Sequence, residues 1–176
     1  MIRTILAGAI ICLACAGATY TLRTAIAADA PKAPDYANMK PADIVSGTPK
    51  GALKNPYNPG QQDKVDKGHE LFMSYSCSGC HGGTGGGGMC PPLTNDVWVY
   101  DGDDDTLFRL VTLGSDELQK AGYTRKGHEN VVGPMPPFGA LLKNGDELWR
   151  IITFIRSKYS SNADPKYKYG TPPELQ

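Results

Sequence analysis

Two thiols and an imidazole occur within five consecutive residues of the chain: Cys77, Ser78, Gly79, Cys80 and His81. This C-x-x-C-H order is the attachment sequence of c-type haem. Two cysteines at this spacing can reach the two vinyl groups of one porphyrin as thioethers, and the next residue then directs its imidazole toward the iron. The motif therefore predicts one covalently attached haem c, held by Cys77 and Cys80, with His81 as the first iron ligand.

The same residue types could also form a zinc site or a redox-active disulfide. A zinc site would use Cys77, Cys80 and Cys90 together with a histidine. However, the adjacent Cys80 and His81 would strain a tetrahedron, and the sequence has no second C-x-x-C. A redox disulfide between Cys77 and Cys80 is expected beside a βαβ unit, which the sequence does not predict. We therefore favour haem attachment over both alternatives.

The second axial position of the iron requires a sulfur or nitrogen donor. The sequence offers five candidates: Met73, Met89, Met135, His69 and His128. Met135 is favoured because residues 133–139 read Gly-Pro-Met-Pro-Pro-Phe-Gly. The three prolines restrict the backbone, so the sulfur can be held at a low entropic cost of ordering.

The other four candidates have simpler roles. Met73 and Met89 lie too near His81 in sequence to cross easily to the far face of the haem, and we expect them to be apolar filling beside it. His69 is expected on a helix surface, and His128 in a solvated loop. Either histidine remains an alternative iron ligand.

Pro91 and Cys90 follow the motif closely enough to contact it. An iron-bound histidine normally donates its second ring nitrogen to an acceptor such as a main-chain carbonyl, and Pro91, ten residues after His81, is the candidate acceptor. Alternatively, Pro91 and Pro92 only end the preceding glycine-rich loop, and both roles are compatible. Cys90 is expected to be a buried, inert thiol.

An acidic cluster follows Trp98 and Tyr100. We expect these two aromatic residues to pack next to the haem. The cluster consists of Asp101, Asp103, Asp104 and Asp105. The cluster lacks the bidentate glutamate that would end a calcium-binding loop. Capping of the following helix and contact with solvent explain it better, because acidic residues suit the positive end of a helix dipole.

Helical periodicity predicts the elements that position these residues. A first helix is expected over residues 61–75, and a second begins near Thr106 and is stopped by Gly114. A third covers residues 145–158, with Asn144 as its cap and Glu147 as the capping partner. Between the first two lies a loop over residues 82–88, which contains six glycines and could approach a flat ligand closely. No strand is predicted, so the fold is small and all-α.

The chain divides into four predicted segments. Residues 1–27 read as a signal peptide for export to the periplasm, cleaved near Ala27, with an uncleaved anchor or a lipoprotein at Cys15 as alternatives. Residues 28–60 form a proline-rich extended arm without helix, residues 61–158 the haem domain, and residues 159–176 a surface tail. The 18 basic and 18 acidic residues balance, so the charge indicates no nucleic-acid or membrane-surface partner. Stable membrane insertion is not expected either, because the apolar run of residues 5–19 is shorter than a membrane-spanning helix needs.

Together these features resemble a class I cytochrome c. The resemblance covers residues 61–158 and includes C-x-x-C-H, a proline-leucine turn over residues 91–93, and a Met-Pro loop before the last helix. It implies small helices around one covalent haem, with extended N- and C-terminal arms. It also implies that the first and last helices cross at Gly68, that Phe72 stacks on Phe154, and that Pro91 and Met135 serve as carbonyl acceptor and iron ligand.

A narrower resemblance covers residues 77–95 and 98–114, which are similar to cytochromes of the cL type. It implies that the protein accepts electrons singly from a periplasmic quinoprotein (PQQ-dependent) methanol dehydrogenase, in particular the lanthanide-dependent form, and passes them to a downstream c-type cytochrome or oxidase. The alternatives are a haem enzyme or gas sensor with a displaceable sixth ligand, and a general respiratory carrier unrelated to alcohol oxidation.

Overall fold

A computed structural model describes residues 33–94, 98–126 and 132–158 of the chain. These ranges contain five helices and no strand: α1 (Pro41–Gly47), α2 (Gln62–Ser74), α3 (Cys77–His81), α4 (Asp104–Lys120) and α5 (Gly145–Ser157). The prediction of an all-α fold is confirmed, and α2 and α5 begin and end within one residue of their predicted limits. The predicted signal peptide, His128 and the C-terminal tail lie outside the described residues.

Helices α2 and α5 cross in direct main-chain contact at Gly68. A β-carbon on Gly68 would lie 2.0 Å from the Arg150 carbonyl oxygen, so a larger residue cannot fit without separating the helices. The ring centroids of Phe72 and Phe154 lie 5.2 Å apart, but the rings are tilted by 54°. It is His69 that stacks on Phe154, at 4.5 Å and 19°. The expected contact between the phenylalanines is therefore present, but the expected stacking is wrong.

The segment before α2 is part of the core, contrary to the prediction of an extended arm without helix. Residues 41–47 form α1, which begins with Pro41, whose fixed φ suits the first position of a helix. Ile44 and Leu53 are completely buried. The Leu53 N–H donates to Asp105 at 3.1 Å. These tertiary contacts outweigh the local signal of the prolines, from which the arm was predicted.

Three of the four residues in the acidic cluster are buried rather than solvated, which corrects the sequence-based interpretation. Asp101, Asp104 and Asp105 expose 8%, 5% and 2% of their surface. Asp103 caps α4 as expected, accepting from the Thr106 N–H at 3.0 Å. In residues 33–94, 98–126 and 132–158, no group of three or more acidic, His or Cys side chains could hold a metal ion.

Arginine side chains neutralise the two most buried carboxylates of this cluster. Asp104 accepts from Arg156 at 3.0 Å, and Asp105 accepts from Arg109 at 2.8 Å. Arg109 also donates to the Thr48 carbonyl oxygen at 2.7 Å. The first turn of α4 therefore joins the N-terminal segment to the helical core.

The ends of α4 and α5 differ from the predicted ones. Gly114 leaves the helical conformation (φ 75°, ψ 171°), but the helix resumes and continues to Lys120, so Gly114 interrupts α4 rather than ending it. Asn144 caps α5 by accepting from the Glu147 N–H at 3.0 Å. The Glu147 carboxylate instead accepts from the Lys143 N–H at 3.1 Å, so the reciprocal bond of a capping box is not formed. No helix in the described part of the chain has the length and apolar character to cross a membrane.

Replacing Asp105 with asparagine should destabilise the fold strongly. Burial opposes ionisation of Asp105, but hydrogen bonds from Arg109 and from main-chain N–H groups outweigh burial and lower its pKa. Removing one partner of a buried ion pair costs about 3–5 kcal/mol. Denaturant unfolding of Asp105→Asn at pH 7 should show a loss of this size.

The exposed Asp63, paired with Lys64 on the surface of α2, provides the control, and Asp63→Asn should change little. Because the pKa of Asp105 is lower in the folded chain than in the unfolded one, its contribution is present above about pH 4 and lost as the pH falls further. Stability should therefore depend less on pH below about pH 4 in Asp105→Asn than in the wild type. Equal stability of the two variants at pH 7 would contradict this account.

Candidate functional site

The C-x-x-C-H motif forms the short helix α3, which opens onto a cavity of about 410 Å³. Ser76 precedes α3 in the left-handed conformation (φ 61°), and this turn redirects the chain after α2. Cys77, Cys80 and His81 all line the cavity, and Met135 lines it as well. The sequence-predicted thioether cysteines and both predicted axial ligands are therefore brought to one site.

The cavity has the size and character of a cofactor site. Such sites measure about 300–1,000 Å³ and are mainly apolar, with a few polar groups that fix orientation. Helices α2, α4 and α5 and the loops between them supply its apolar walls, formed by Phe72, Leu93, Trp98, Val99, Tyr100, Leu107, Leu110, Val111, Phe138, Ile151, Ile152 and Ile155. Arg125 is the one charged side chain among the described lining residues. The thiols of Cys77 and Cys80, an imidazole, a thioether and a single cation suit an iron porphyrin that bears two carboxylates.

The Pro91 carbonyl oxygen lies 2.9 Å from Nδ1 of His81, where the sequence predicted it. The carbonyl can only accept, so Nδ1 must carry the proton and donate it. In the neutral ring, Nε2 then keeps its lone pair and can bind a metal ion. The contact with Pro91 therefore selects the tautomer that an iron ligand requires and holds the ring in one orientation.

The glycine-rich loop folds back onto α3 instead of approaching the cavity. The Gly87 N–H donates to the His81 carbonyl oxygen at 2.9 Å, and the Cys90 N–H donates to the Cys80 carbonyl oxygen at 3.1 Å. A β-carbon on Gly88 would lie 2.7 Å from the same Cys80 oxygen. None of residues 82–88 lines the cavity. The glycines thus allow a tight return of the chain, which brings Pro91 to His81.

The loop that bears Met135 is attached to the interruption in α4. The Ser115 N–H donates to the Met135 carbonyl oxygen at 2.9 Å, and the Met135 N–H donates to Oγ of Ser115 at 3.0 Å. A β-carbon on Gly114 would lie 2.7 Å from the Met135 carbonyl oxygen. The role of Gly114 and Ser115 was not predicted. The sequence does indicate that a helix restarts at Ser115, because a serine followed by Asp116 and Glu117 is typical of a helix start.

The described alternatives to Met135 lie outside the cavity lining. Met73 and Met89 are 47% and 64% exposed, so the expectation that they fill space beside the haem is wrong. Nε2 of His69 lies 2.8 Å from the Gly83 carbonyl oxygen, and the ring does not line the cavity. His128 falls outside the described residues. Met135 is the one sixth-ligand candidate in the described ranges that lines the cavity.

Cys90 is half-buried and lines the cavity, in contrast to the predicted buried thiol. Burial and a hydrogen bond with Cys80 raise the pKa of Cys90 to about 11. Burial likewise raises the pKa of Cys77 to about 11. Redox-active cysteines require an accessible thiolate, which a lowered pKa provides. The raised pKa values therefore disfavour a redox-active disulfide at this motif, and they favour the protonated form of Cys90 at neutral pH.

The chain was compared with known proteins. The family model described as "Cytochrome C oxidase, cbb3-type, subunit III" matches residues 63–155. Two curated relatives are both named Cbb3-type cytochrome c oxidase subunit FixP. The one from Azorhizobium caulinodans is 36% identical over 59 residues, which are 32% of this chain and 20% of the relative. The one from Rhizobium meliloti is 32% identical over 114 residues, which are 64% of this chain and 35% of the relative.

The chain thus spans about a third or less of the length of these two relatives. Among solved structures, cytochrome CL from the marine methylotrophic bacterium Methylophaga aminisulfidivorans MPT aligns at 26% identity. The alignment covers 65% of this chain and 73% of that chain, with a TM-score of 0.45.

The close approach of the glycine-rich loop to α3 can be tested at Gly88. In Gly88→Ala the new methyl group meets the Cys80 carbonyl oxygen, so the loop must shift, and overpacking of this kind costs about 1–3 kcal/mol. Thermal unfolding of the full chain should show the loss. Gly47→Ala is the matched control, because a β-carbon there meets no atom within 4 Å. Equal melting temperatures for the two variants would show that the loop tolerates a larger residue.

Proposed function

Since the chain belongs to the c-type cytochrome family matched over residues 63–155, we propose which residues and partners serve its electron transfer. The chain contains a covalently bound haem c and transfers electrons. Cys77 and Cys80 hold the haem as thioethers. His81, through Nε2, and Met135, through its sulfur, would bind its iron. The supporting observation is that all four side chains line one apolar cavity.

When bound, the haem supplies an iron that is reversibly oxidised and reduced by one electron. The residues of the chain prevent other reactions at the iron. With His81 and Met135 both bound to the iron, no position would remain for oxygen, peroxide or another substrate. The Pro91 carbonyl orients the His81 imidazole, while the apolar walls exclude water. Ligand identity, burial and hydrogen bonds of this kind set the reduction potential.

The proposed donor is a periplasmic PQQ-dependent methanol or alcohol dehydrogenase, and the acceptor is a downstream c-type cytochrome or oxidase. This proposal is supported by the likeness of residues 77–95 and 98–114 to cytochromes of the cL type. Export to the periplasm, with cleavage near Ala27, is part of the same proposal. Each encounter should be brief and the interface small, because the carrier must be released after every electron.

A second candidate function follows from the relatives in Azorhizobium caulinodans and Rhizobium meliloti, which are named as subunits of a cbb3-type cytochrome c oxidase. The family matched by residues 63–155 is also described as a subunit of a cbb3-type cytochrome c oxidase. On this alternative, the chain passes electrons to the catalytic part of such an oxidase, either as a bound component or as a donor. The chemistry at the haem would be the same, and only the partner would differ.

Met135→Ala should convert the carrier into a protein that binds external ligands. Loss of the sulfur should abolish the sulfur-to-iron charge-transfer absorption, lower the reduction potential, and allow cyanide to bind rapidly to the oxidised protein. Met89→Ala is the control, because Met89 is exposed and does not line the cavity. An unchanged spectrum in Met135→Ala would point to His69 or His128. Rapid cyanide or carbon monoxide binding by the wild type would favour a haem enzyme or gas sensor.

The donor can be identified by mixing the oxidised protein with a purified PQQ-dependent methanol dehydrogenase and methanol. The haem absorption should change to that of the reduced form, with two molecules of cytochrome reduced for each methanol oxidised to the aldehyde. Ascorbate serves as the control for a reducible haem. Reduction by ascorbate without reduction by the dehydrogenase would remove the alcohol-oxidation proposal. Rapid oxidation of the reduced protein by a cbb3-type oxidase would then support the second candidate.

A further inference from the structure

The interruption of α4 leaves three main-chain groups without hydrogen-bond partners in the helix. The loop bearing Met135 forms hydrogen bonds with all three. In an unbroken helix the Ser115 N–H would donate to the Val111 carbonyl oxygen, four residues earlier. At this point of α4 it donates to the Met135 carbonyl oxygen at 2.9 Å. The Val111 oxygen accepts from the Phe138 N–H at 2.9 Å instead. The loop thus replaces hydrogen bonds that the helix would otherwise make within itself.

Two further contacts complete this attachment. The Thr112 carbonyl oxygen accepts from the Gly139 N–H at 3.0 Å, and the hydroxyl oxygen of Ser115 accepts from the Met135 N–H at 3.0 Å. We call these four hydrogen bonds, made by residues 111, 112 and 115 with residues 135, 138 and 139, the α4 clamp. Only the bond to the Ser115 hydroxyl depends on a side chain. The clamp can therefore be weakened at one atom without altering the backbone.

We propose that the α4 clamp, through the Ser115 hydroxyl, sets the rate at which Met135 leaves the iron, so that Ser115 is a positioning residue for the sixth ligand. The inference rests on the proposed role of Met135 as that ligand. The clamp explains why Met135 stays bound to the iron. Without the clamp, a loop exposed on both sides of Met135 could move away from the cavity, and the protein would then bind external ligands.

The physical argument concerns the Met135 N–H. Met135 is half-buried, and Ser115 exposes only 8% of its surface. In this proposal Met135 leaves by movement of its main chain away from Ser115, which breaks both reciprocal bonds. When the hydroxyl is removed, the Met135 N–H loses its acceptor in the closed loop, so closure is less favourable and opening more frequent. The Ser115 N–H still holds the Met135 carbonyl, so the loop should weaken without being lost.

The test compares Ser115→Thr with Ser115→Val in the full-length protein with haem bound. The two side chains have nearly the same shape, but only threonine keeps the hydroxyl. Cyanide binding to the oxidised protein measures how often Met135 leaves, because cyanide can enter only after it. We expect Ser115→Val to bind cyanide about tenfold faster than Ser115→Thr, as a weakened hydrogen bond of about 1.4 kcal/mol implies. Both variants should keep the charge-transfer absorption at rest.

Ser157→Ala is the matched control, because this serine donates to the Phe154 carbonyl oxygen at the end of α5 and does not line the cavity. Its cyanide binding should be as slow as that of the wild type. Equal rates for Ser115→Val and Ser115→Thr would overturn the clamp proposal, while the proposed function would stand. A wild type that binds cyanide rapidly, or lacks the charge-transfer absorption, would instead overturn the role of Met135 and with it both proposals.

Discussion

The close contact of α2 and α5 at Gly68 is the constraint on which the site depends. Since a β-carbon at Gly68 would overlap the Arg150 carbonyl, only glycine allows the two helices to touch along their main chains. Helix α2 leads directly into α3 and so determines where the C-x-x-C-H motif begins. Helix α5 contributes Ile151 and Ile152 to the cavity wall. The position of the haem-binding residues relative to that wall is therefore determined by a contact that involves no functional side chain.

Two other glycines also allow a close contact between main chains. Gly88 lies against the Cys80 carbonyl, and Gly114 lies against the Met135 carbonyl. In each case a loop approaches a helix through its backbone, and hydrogen bonds between main-chain groups fix its position. Main-chain contacts of this kind have little rotational freedom, so they position a ligand more accurately than long side chains could. This suits a carrier whose iron ligands should move little between oxidation states.

Short-range patterns predicted the parts of the fold that depend on neighbouring residues. The C-x-x-C-H motif and the periodicity of α2 and α5 are of this kind, and so is the proline-rich loop around Met135. Burial of the acidic residues could not be predicted, because it depends on distant contacts: the Leu53 N–H, 52 residues earlier in the chain, donates to the Asp105 carboxylate that Arg109 neutralises. Helix α1 was missed for the same reason, since Ile44 is helical and buried through contacts with distant segments.

Helix α4 contacts the N-terminal segment with its first turn and the Met135 loop beyond Gly114, where the helix is interrupted. Its first turn binds the N-terminal segment through Asp104 and Asp105, which are buried and neutralised by arginines. Its second half holds the loop that bears Met135. Since Gly114 breaks the helix between these parts, the loop can open by losing the four bonds of the α4 clamp, without unfolding the first turn. Local opening requires less free energy than global unfolding. If Met135 is the sixth ligand, as proposed, the stability of that ligand depends on Gly114 and Ser115, whereas the stability of the whole fold depends on the buried ion pairs.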